Sequence, residues 1–435
     1  MFKHIGITLA GFAGQLLLSL ASGILAARLL GPEMRGELAA LLLLPLTLQL
    51  VSLAGLPQAQ TVLAAQKPVK AAAITGTTCV LVLLPCLVAI LAGLAAVPFL
   101  LEDPALQQHA AWVLICLIPL LSFYGIPTST ALGLKHYGIF NLYRIGGSVL
   151  YLVAVLFAFF KPDALVISWG YVALLTVVGL PLSYVLCRRY VHGPLRWDAK
   201  LIRPLYHFAR PTFLSQLPQL LGQRFDQFVV LAVLNTTALG YYSIALAVGQ
   251  MFATLQQTVG TVLLPYLAGS ARDGRNPALL FGSALRVSLA LSAAGVTVLG
   301  LMLPWLLPLL FGQAFAPAIS AAIILLAAYA LSGLHTAFID GFRGIGLPNL
   351  PLWSEWLAFA CKAVVLGAGV LWLGEPTLLQ IALLAGLATL PPLVFDAILY
   401  HRYVEPLNAS WLLRSRTDAN LIKHKLHEMF TKQPN

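Results

Sequence analysis

Four charged side chains, Arg224, Asp226, Glu355 and Lys362, stand inside long apolar stretches of this 435-residue chain. A charge at membrane depth is costly, so such residues face a cavity, a water path or a partner. Arg224 and Lys362 are cations and suit an anion; the planar fork of a guanidinium suits a diphosphate in particular. Asp226 and Glu355 suit a cation or a proton. Around Arg224 the sequence is polar at helical spacing, with Thr212, Ser215, Gln216, Gln219, Gln223 and Gln227. A later segment repeats the pattern with Ser243, Gln250, Thr254, Gln257 and Thr261. Amides and hydroxyls on two facing helices match the hydroxyls of a sugar. The same groups also join helices by interhelical hydrogen bonds, and both readings stand at this stage. On a continuous helix Arg224 and Asp226 project about 200° apart, so each needs its own partner. Glu355 and Lys362 share a face but lie about 10 Å apart along the axis. They read as a phosphate ligand at Lys362 and a coupling carboxylate at Glu355, or as two structural ion pairs. Asp340 and Asp396 fall near span ends and read as solvated. Arg28 reads as an interfacial side chain reaching for water. No nucleophile–base set, His/Cys cluster or GxxxxGK[ST] loop occurs, so the expectation is a non-enzyme without metal or cofactor. The five cysteines show no CxxC pair and read as small buried hydrophobes.

The elements that carry these residues follow from composition. Hydrophobic residues make up 60% of the chain and charged residues 9%, with a mean hydropathy of +0.88. A soluble fold of this length needs more polar surface than that, so a soluble enzyme, a disordered chain and a nucleic-acid binder are excluded despite the net charge of +11. A membrane helix needs about 20 apolar residues. Twelve blocks qualify: 5–30, 38–63, 71–100, 110–133, 139–160, 164–187, 206–234, 240–269, 279–311, 317–341, 350–373 and 377–401. Threading twelve spans places 21 of the 26 Lys and Arg on one side. Only Arg28, Arg35 and Lys161 fall on the other, and Arg224 and Lys362 lie within spans. The positive-inside rule then puts both termini in the cytoplasm. Loops on the opposite side are short turns such as Glu102-Asp103-Pro104 and Lys161-Pro162-Asp163. The stretch 403–435 reads as an amphipathic helix on the inner leaflet or as a disordered tail.

The chain also repeats itself at an offset of 204 residues. Gly36 falls on Gly240, and Thr8, Gln15, Ser19 and Ser22 fall on Thr212, Gln219, Gln223 and Asp226. An even number of spans separates the copies, which predicts two parallel halves related by a pseudo-two-fold axis along the membrane normal. The expected organisation is a six-helix lobe at 1–187, a cytoplasmic linker at 188–205, a second six-helix lobe at 206–402 and a basic tail at 403–435.

Several segments resemble one family. AARLLGPEMRGELAA at 26–40 is similar to the first loop of bacterial polysaccharide (Wzx-type) flippases of the multidrug/oligosaccharidyl-lipid/polysaccharide (MOP) exporter superfamily. DQFVVLAVLNTTALGYYSIA at 226–245 resembles that family's seventh helix, loop and eighth helix. ALGLKHYGIFNLY at 131–143 resembles its segment between helices four and five, and RGIGLPNLPLWSEWLAFACK at 343–362 its tenth loop and eleventh helix, including Glu355. The chain departs from the family where Arg224-Phe225-Asp226 stands in place of an adjacent Asp-Arg. The resemblance implies an all-α, MATE-like fold of about twelve transmembrane helices in two pseudo-symmetric lobes around a cavity. It implies ion-coupled (H+ or Na+) alternating access in a bacterial inner membrane. The implied substrate is a polyprenyl-diphosphate-linked oligosaccharide, with a polymerase or glycosyltransferases as neighbours. On that basis Arg224, Lys362, Gln219, Gln223, Gln250 and Gln257 are cavity candidates, and Asp226 and Glu355 are coupling candidates. A drug or metabolite exporter or a lipid II flippase of the same superfamily is the nearest alternative. A membrane polymerase or ligase is the alternative from another class, though such enzymes usually carry a large outer loop and this chain has none.

Overall fold

The computed structural model describes the backbone of residues 2–53, 55–270, 277–347 and 349–407, and side chains from residue 11 onward within them except 255 and 257–277. The side chains of Thr8, Gln257 and Thr261, and the tail from 408 to 435, lie outside the described residues. Among the described residues every long element is a helix. In chain order these are α1 (Phe2–Ser52), α2 (Leu56–Gln66), α3 (Ala71–Leu81), α4 (Leu83–Leu100), α5 (Pro104–Gly133), α6 (Tyr137–Leu156), α7 (Ala164–Leu174) and α8 (Leu180–Tyr190). They continue with α9 (Ile202–Gly222), α10 (Phe225–Val233), α11 (Thr236–Ser270), α12 (Pro277–Phe311), α13 (Ile319–Gly344), α14 (Asn349–Leu373), α15 (Leu378–Leu387) and α16 (Leu390–Tyr403).

Nine stretches of described helix are long and apolar enough to cross a membrane. Helix α1 is one of the nine, and it joins two helical legs. Straight, its 51 residues would span about 77 Å, more than twice the hydrocarbon core of a bilayer. The helix folds at Gly31, whose φ of 69° lies in the left-handed region that favours glycine, and Pro32 then starts the return leg with its φ already set. The other three of the twelve blocks read from the sequence fall on the second leg of α1, the interrupted pair α9–α10 and the long helix α11, which are helical but are not separate members of these nine. The short turns read from the sequence are helix starts. Asp103 accepts from the Ala105 amide at 3.0 Å, and Asp163 from the Leu165 amide at 2.8 Å. Each carboxylate satisfies a backbone donor that the first turn leaves open.

The chain forms two compact units. One comprises 1–244, 305–319 and 373–381. Its centre is α5, packed against α1, α4 and α6, with Leu38, Leu41, Leu114 and Leu117 buried between them. Three tyrosines fix the register of its helices, each donating to a carbonyl elsewhere in the chain: Tyr124 to Tyr143 at 2.8 Å, Tyr143 to Ser183 at 2.6 Å and Tyr190 to Pro127 at 2.6 Å. The 188–205 stretch is docked, not free. The Asp198 amide donates to Thr77 Oγ1 at 3.0 Å, and Gly76 lets the backbone of Arg196 approach so closely that a Cβ would clash with it.

The other unit comprises 245–304, 320–372 and 382–435. Its described core is an aromatic cluster of Phe281, Phe338, Phe342 and Tyr400, with ring centroids 5.0 to 6.4 Å apart. The cluster joins α12, α13 and α16 near the turn that links α13 to α14.

Candidate functional site

The polar stripe of the first leg of α1 meets a cation. Arg144, on the second turn of α6, donates from Nε to Gln15 Oε1 at 3.0 Å. Its guanidinium lies over the rings of Phe12 and Phe140, 4.9 and 5.5 Å from their centroids. One aromatic face from α1 and one from α6 thus hold the side chain against α1. Ser22 donates to the Ser19 carbonyl of its own helix.

The equivalent stripe in the second half sits on an interrupted helix. α9 ends at Gly222 and α10 starts at Phe225, with Arg224 between them in a non-helical conformation. The expectation that Arg224 and Asp226 project from one continuous helix is therefore corrected. Glycine at the end of α9 is a poor helix former, and the chain turns there before helical geometry resumes. Asp226 lies in the first turn of α10, 2% exposed. It accepts from the Tyr242 hydroxyl at 2.9 Å and from the Gln227 amide at 3.1 Å. Gln219 and Gln223 are exposed. Thr212 and Ser215 donate to carbonyls of their own helix, and Gln216 accepts from Gln58 at 3.2 Å.

The two copies of the repeat touch. A Cβ on Gly36 would overlap the Thr236 carbonyl, 2.5 Å from its carbon, and lie 3.1 Å from the Gly240 nitrogen. Reciprocally, a Cβ on Gly240 would overlap the Pro32 carbonyl and lie 3.0 Å from the Gly36 nitrogen. Pro32 and Thr236, like Gly36 and Gly240, are 204 residues apart. Residue i meets the copy of j and j meets the copy of i, the signature of a two-fold contact. The turns match as well: Gly31 ends the first leg of α1, and its counterpart Asn235 caps α11 by accepting from the Ala238 amide at 2.7 Å. Beside this crossing Arg28 does not simply reach for water. It donates from Nε to the Leu310 carbonyl at 2.8 Å and from Nη2 to the Leu309 carbonyl. These are orphan acceptors at the end of α12, where a cation is favoured.

In the other unit Gln250 is exposed and its amide lies 3.4 Å from the Tyr329 hydroxyl. Lys362 is partly buried on α14, two turns beyond Glu355, and Glu355 is 8% exposed. Asp396 corrects the sequence reading. It is not solvated but fully buried: His335 Nδ1 lies 2.6 Å from its Oδ2, and the Ser354 hydroxyl donates to its Oδ1. Asp340 is partly buried and pairs with Arg343 on the same helix at 3.5 Å. His335 and Asp396 were not singled out as site residues. The signal available was a histidine amid LSGLHTAFID and an aspartate amid LVFDAILY, two apolar contexts that make a lone polar group expensive. Among the described residues no three His, Cys, Asp or Glu side chains converge as metal ligands.

Comparison with known proteins places this architecture. No curated protein sequence matches. The chain is similar in structure to "Lipid II flippase MurJ, inward closed conformation", with a TM-score of 0.77 at 13% identity over 99% of this chain and 94% of that one. It is similar to an inward-facing multidrug resistance MATE family transporter of the MOP superfamily, with a TM-score of 0.69 at 15% identity over 94% and 96%. It also matches a MOP superfamily transporter from Pyrococcus furiosus, with a TM-score of 0.60 at 16% identity over 91% and 94%. These likenesses give the fold: an all-α polytopic membrane protein with the two-lobed MOP architecture. A family model described as "Polysaccharide biosynthesis protein" matches residues 24–320. Since that match spans more than half of the sequence, the chain belongs to this family of polysaccharide biosynthesis membrane proteins.

Proposed function

We propose that this protein is a flippase that carries a polyprenyl-diphosphate-linked oligosaccharide from the inner to the outer leaflet of a bacterial inner membrane. The observation that carries the reading is a cation at a break in a membrane helix, Arg224 between α9 and α10, in a chain of the polysaccharide biosynthesis family. Discontinuous membrane helices mark ligand sites in transporters, because their ends direct backbone dipoles at the cargo. An unpaired diphosphate cannot enter hydrocarbon without partners. Arg224 and Lys362 supply the charge at depth, and the amides of Gln219, Gln223, Gln250 and Gln257 suit the sugar. Arg144, oriented by Gln15 and two phenylalanines, is a third cation of the same kind.

Transport proceeds by alternating access between the two six-helix lobes, coupled to an ion gradient. The chain is not an enzyme, and both termini face the cytoplasm. The Gly36/Gly240 crossing lies on the external side and parts once per cycle. Reporter fusions after residues 102, 161 and 375 are then external and those after 68, 196 and 273 internal. The deciding experiment is deletion of the gene in its host. Lipid-linked glycan accumulates on the cytoplasmic face while its synthesis continues. If synthesis itself stops, the polymerase or ligase reading replaces this one. If an unrelated lipid-linked glycan or a drug is what accumulates, another member function of the same superfamily does.

A further inference from the structure

The cluster around Asp396 carries two carboxyl groups, Asp396 and Glu355, which suit a proton or a cation rather than an anionic headgroup. Three helices of one unit contribute: His335 from α13, Ser354 and Glu355 from α14, and Asp396 from α16. All lie within about 8 to 14 Å of the helix ends near the α13–α14 turn. The 2.6 Å contact between His335 Nδ1 and Asp396 Oδ2 needs one hydrogen between the two atoms. With Asp396 ionised, that hydrogen belongs to Nδ1. The other carboxylate oxygen accepts from Ser354. Each oxygen of this fully buried carboxylate thus has a hydrogen-bond partner.

What remains open is the far side of the imidazole. His335 Nε2 is buried and has no hydrogen-bond partner among the described residues. Glu355 is nine-tenths buried, has no hydrogen bond among the described residues, and interacts electrostatically with His335 and with Asp396. The remaining charges near the site are Asp340 and Arg343 on α13, which pair with each other. On α12, which packs against the same aromatic cluster through Phe281 and Leu285, the charged residue is the buried Arg286. Beside a neutral imidazole, Asp396 and Glu355 as carboxylates would put two negative charges in apolar surroundings, a costly arrangement.

We propose that His335, Asp396, Ser354 and Glu355 form a proton-binding site within the C-terminal half. One proton adds at His335 Nε2. Nδ1–H keeps its bond to Asp396, and the imidazolium gains Glu355 as a second counter-charge. Proton uptake ties α13 to both α16 and α14; release leaves only the tie to α16. The site is a two-state link among three helices, which is what coupling a proton gradient to helix movement requires. Its use in coupling rests on the transport reading above, whereas its existence as a proton site does not.

The test is side-chain NMR of the histidines in full-length protein in lipid nanodiscs. The chain has nine histidines, and His335→Gln identifies the signal that belongs to this one. With the pH varied over ~5–8, the expected result is Nδ1 protonated throughout and Nε2 gaining its proton as the pH is lowered. Asp396→Asn shifts that step to more acidic pH by about one unit, a tenfold loss of proton affinity, and Glu355→Gln shifts it the same way by less. A His335 signal that never changes protonation across this range overturns the proposal in the unmodified protein, whatever the variants do. So does a step that Asp396→Asn leaves in place. A step displaced by Na+ but not by choline assigns the site to a metal cation and overturns it as well. None of these outcomes depends on glycan export, so failure of the transport reading would be recognised separately.

Discussion

Replacing Gly36 with alanine puts a methyl group where the return leg of α1 crosses the start of α11. The added carbon would sit 2.5 Å from the carbonyl carbon of Thr236 and closer still to its oxygen, whereas ordinary contact begins at 3.4 Å. The obstacle is backbone, so no rotamer change relieves it. The two segments must part by about 1 Å at the crossing, with the overpacking cost of about 1–3 kcal/mol. If the crossing exists in one transport state and not in the other, that cost falls on one side of the equilibrium alone. The population of the closed state then drops by about 5- to 150-fold. Gly240→Ala should act the same way through Pro32. Because the two methyls relieve the same contact, the double variant should cost less than the sum. Gly125→Ala is the control, since nothing lies within 4 Å of the added carbon there. The assay is a distance distribution between nitroxides at Glu33 and Thr237, read alongside glycan export and membrane abundance. Gly36→Ala should broaden the distribution toward longer distances and depress export at normal abundance. An unchanged distribution with normal export would show that the crossing is not state-specific, and the reciprocal contact would lose its functional meaning.

Three further outcomes are expected. Arg224→Ala and Lys362→Ala should each weaken export at normal abundance, with reversal to Glu worse and Arg224→Lys partly active because the charge survives without the fork; a variant that disappears from the membrane marks that residue as structural. Tyr242→Phe removes the 2.9 Å hydrogen bond to buried Asp226 and should cost about 1.5–3 kcal/mol, read as a lowered melting temperature in detergent, and no change there would mean that Asp226 is satisfied without it. Gly31→Ala forces a side chain into φ 69°, ψ −178° and should cost about 1–3 kcal/mol, again read by melting.

Which features were legible in the sequence follows from how local their causes are. The membrane-length helices come from runs of apolar residues, a property of short windows. The repeat was legible because Gly36 and Gly240 mark the same register as the polar stripes, and the structure puts those two glycines against each other. The break at Gln223–Arg224 was not legible. No proline stands there, and Gly222 alone is tolerated in many helices, so the interruption needs the surrounding helices to sustain it. Burial judged by position in the sequence failed for Asp396. Asp396 was placed in water because it is close to a helix end, yet His335 and Ser354 cover it from 61 and 42 residues away in the chain. Burial of a polar group depends on what packs over it, and single-helix periodicity carries no information on that.

The reading as a flippase is tested most directly by reconstitution. Purified full-length protein is placed in vesicles that contain a fluorescent polyprenyl-diphosphate oligosaccharide, and the labelled headgroup is followed with a membrane-impermeant quencher. Headgroups should become accessible from the opposite leaflet, faster with a proton gradient, and the combined Arg224→Ala, Lys362→Ala variant should abolish this while remaining folded. If the unmodified protein leaves the headgroups in their original leaflet under every gradient, or if the double variant moves them as fast as the unmodified protein, the cation-based flippase is contradicted.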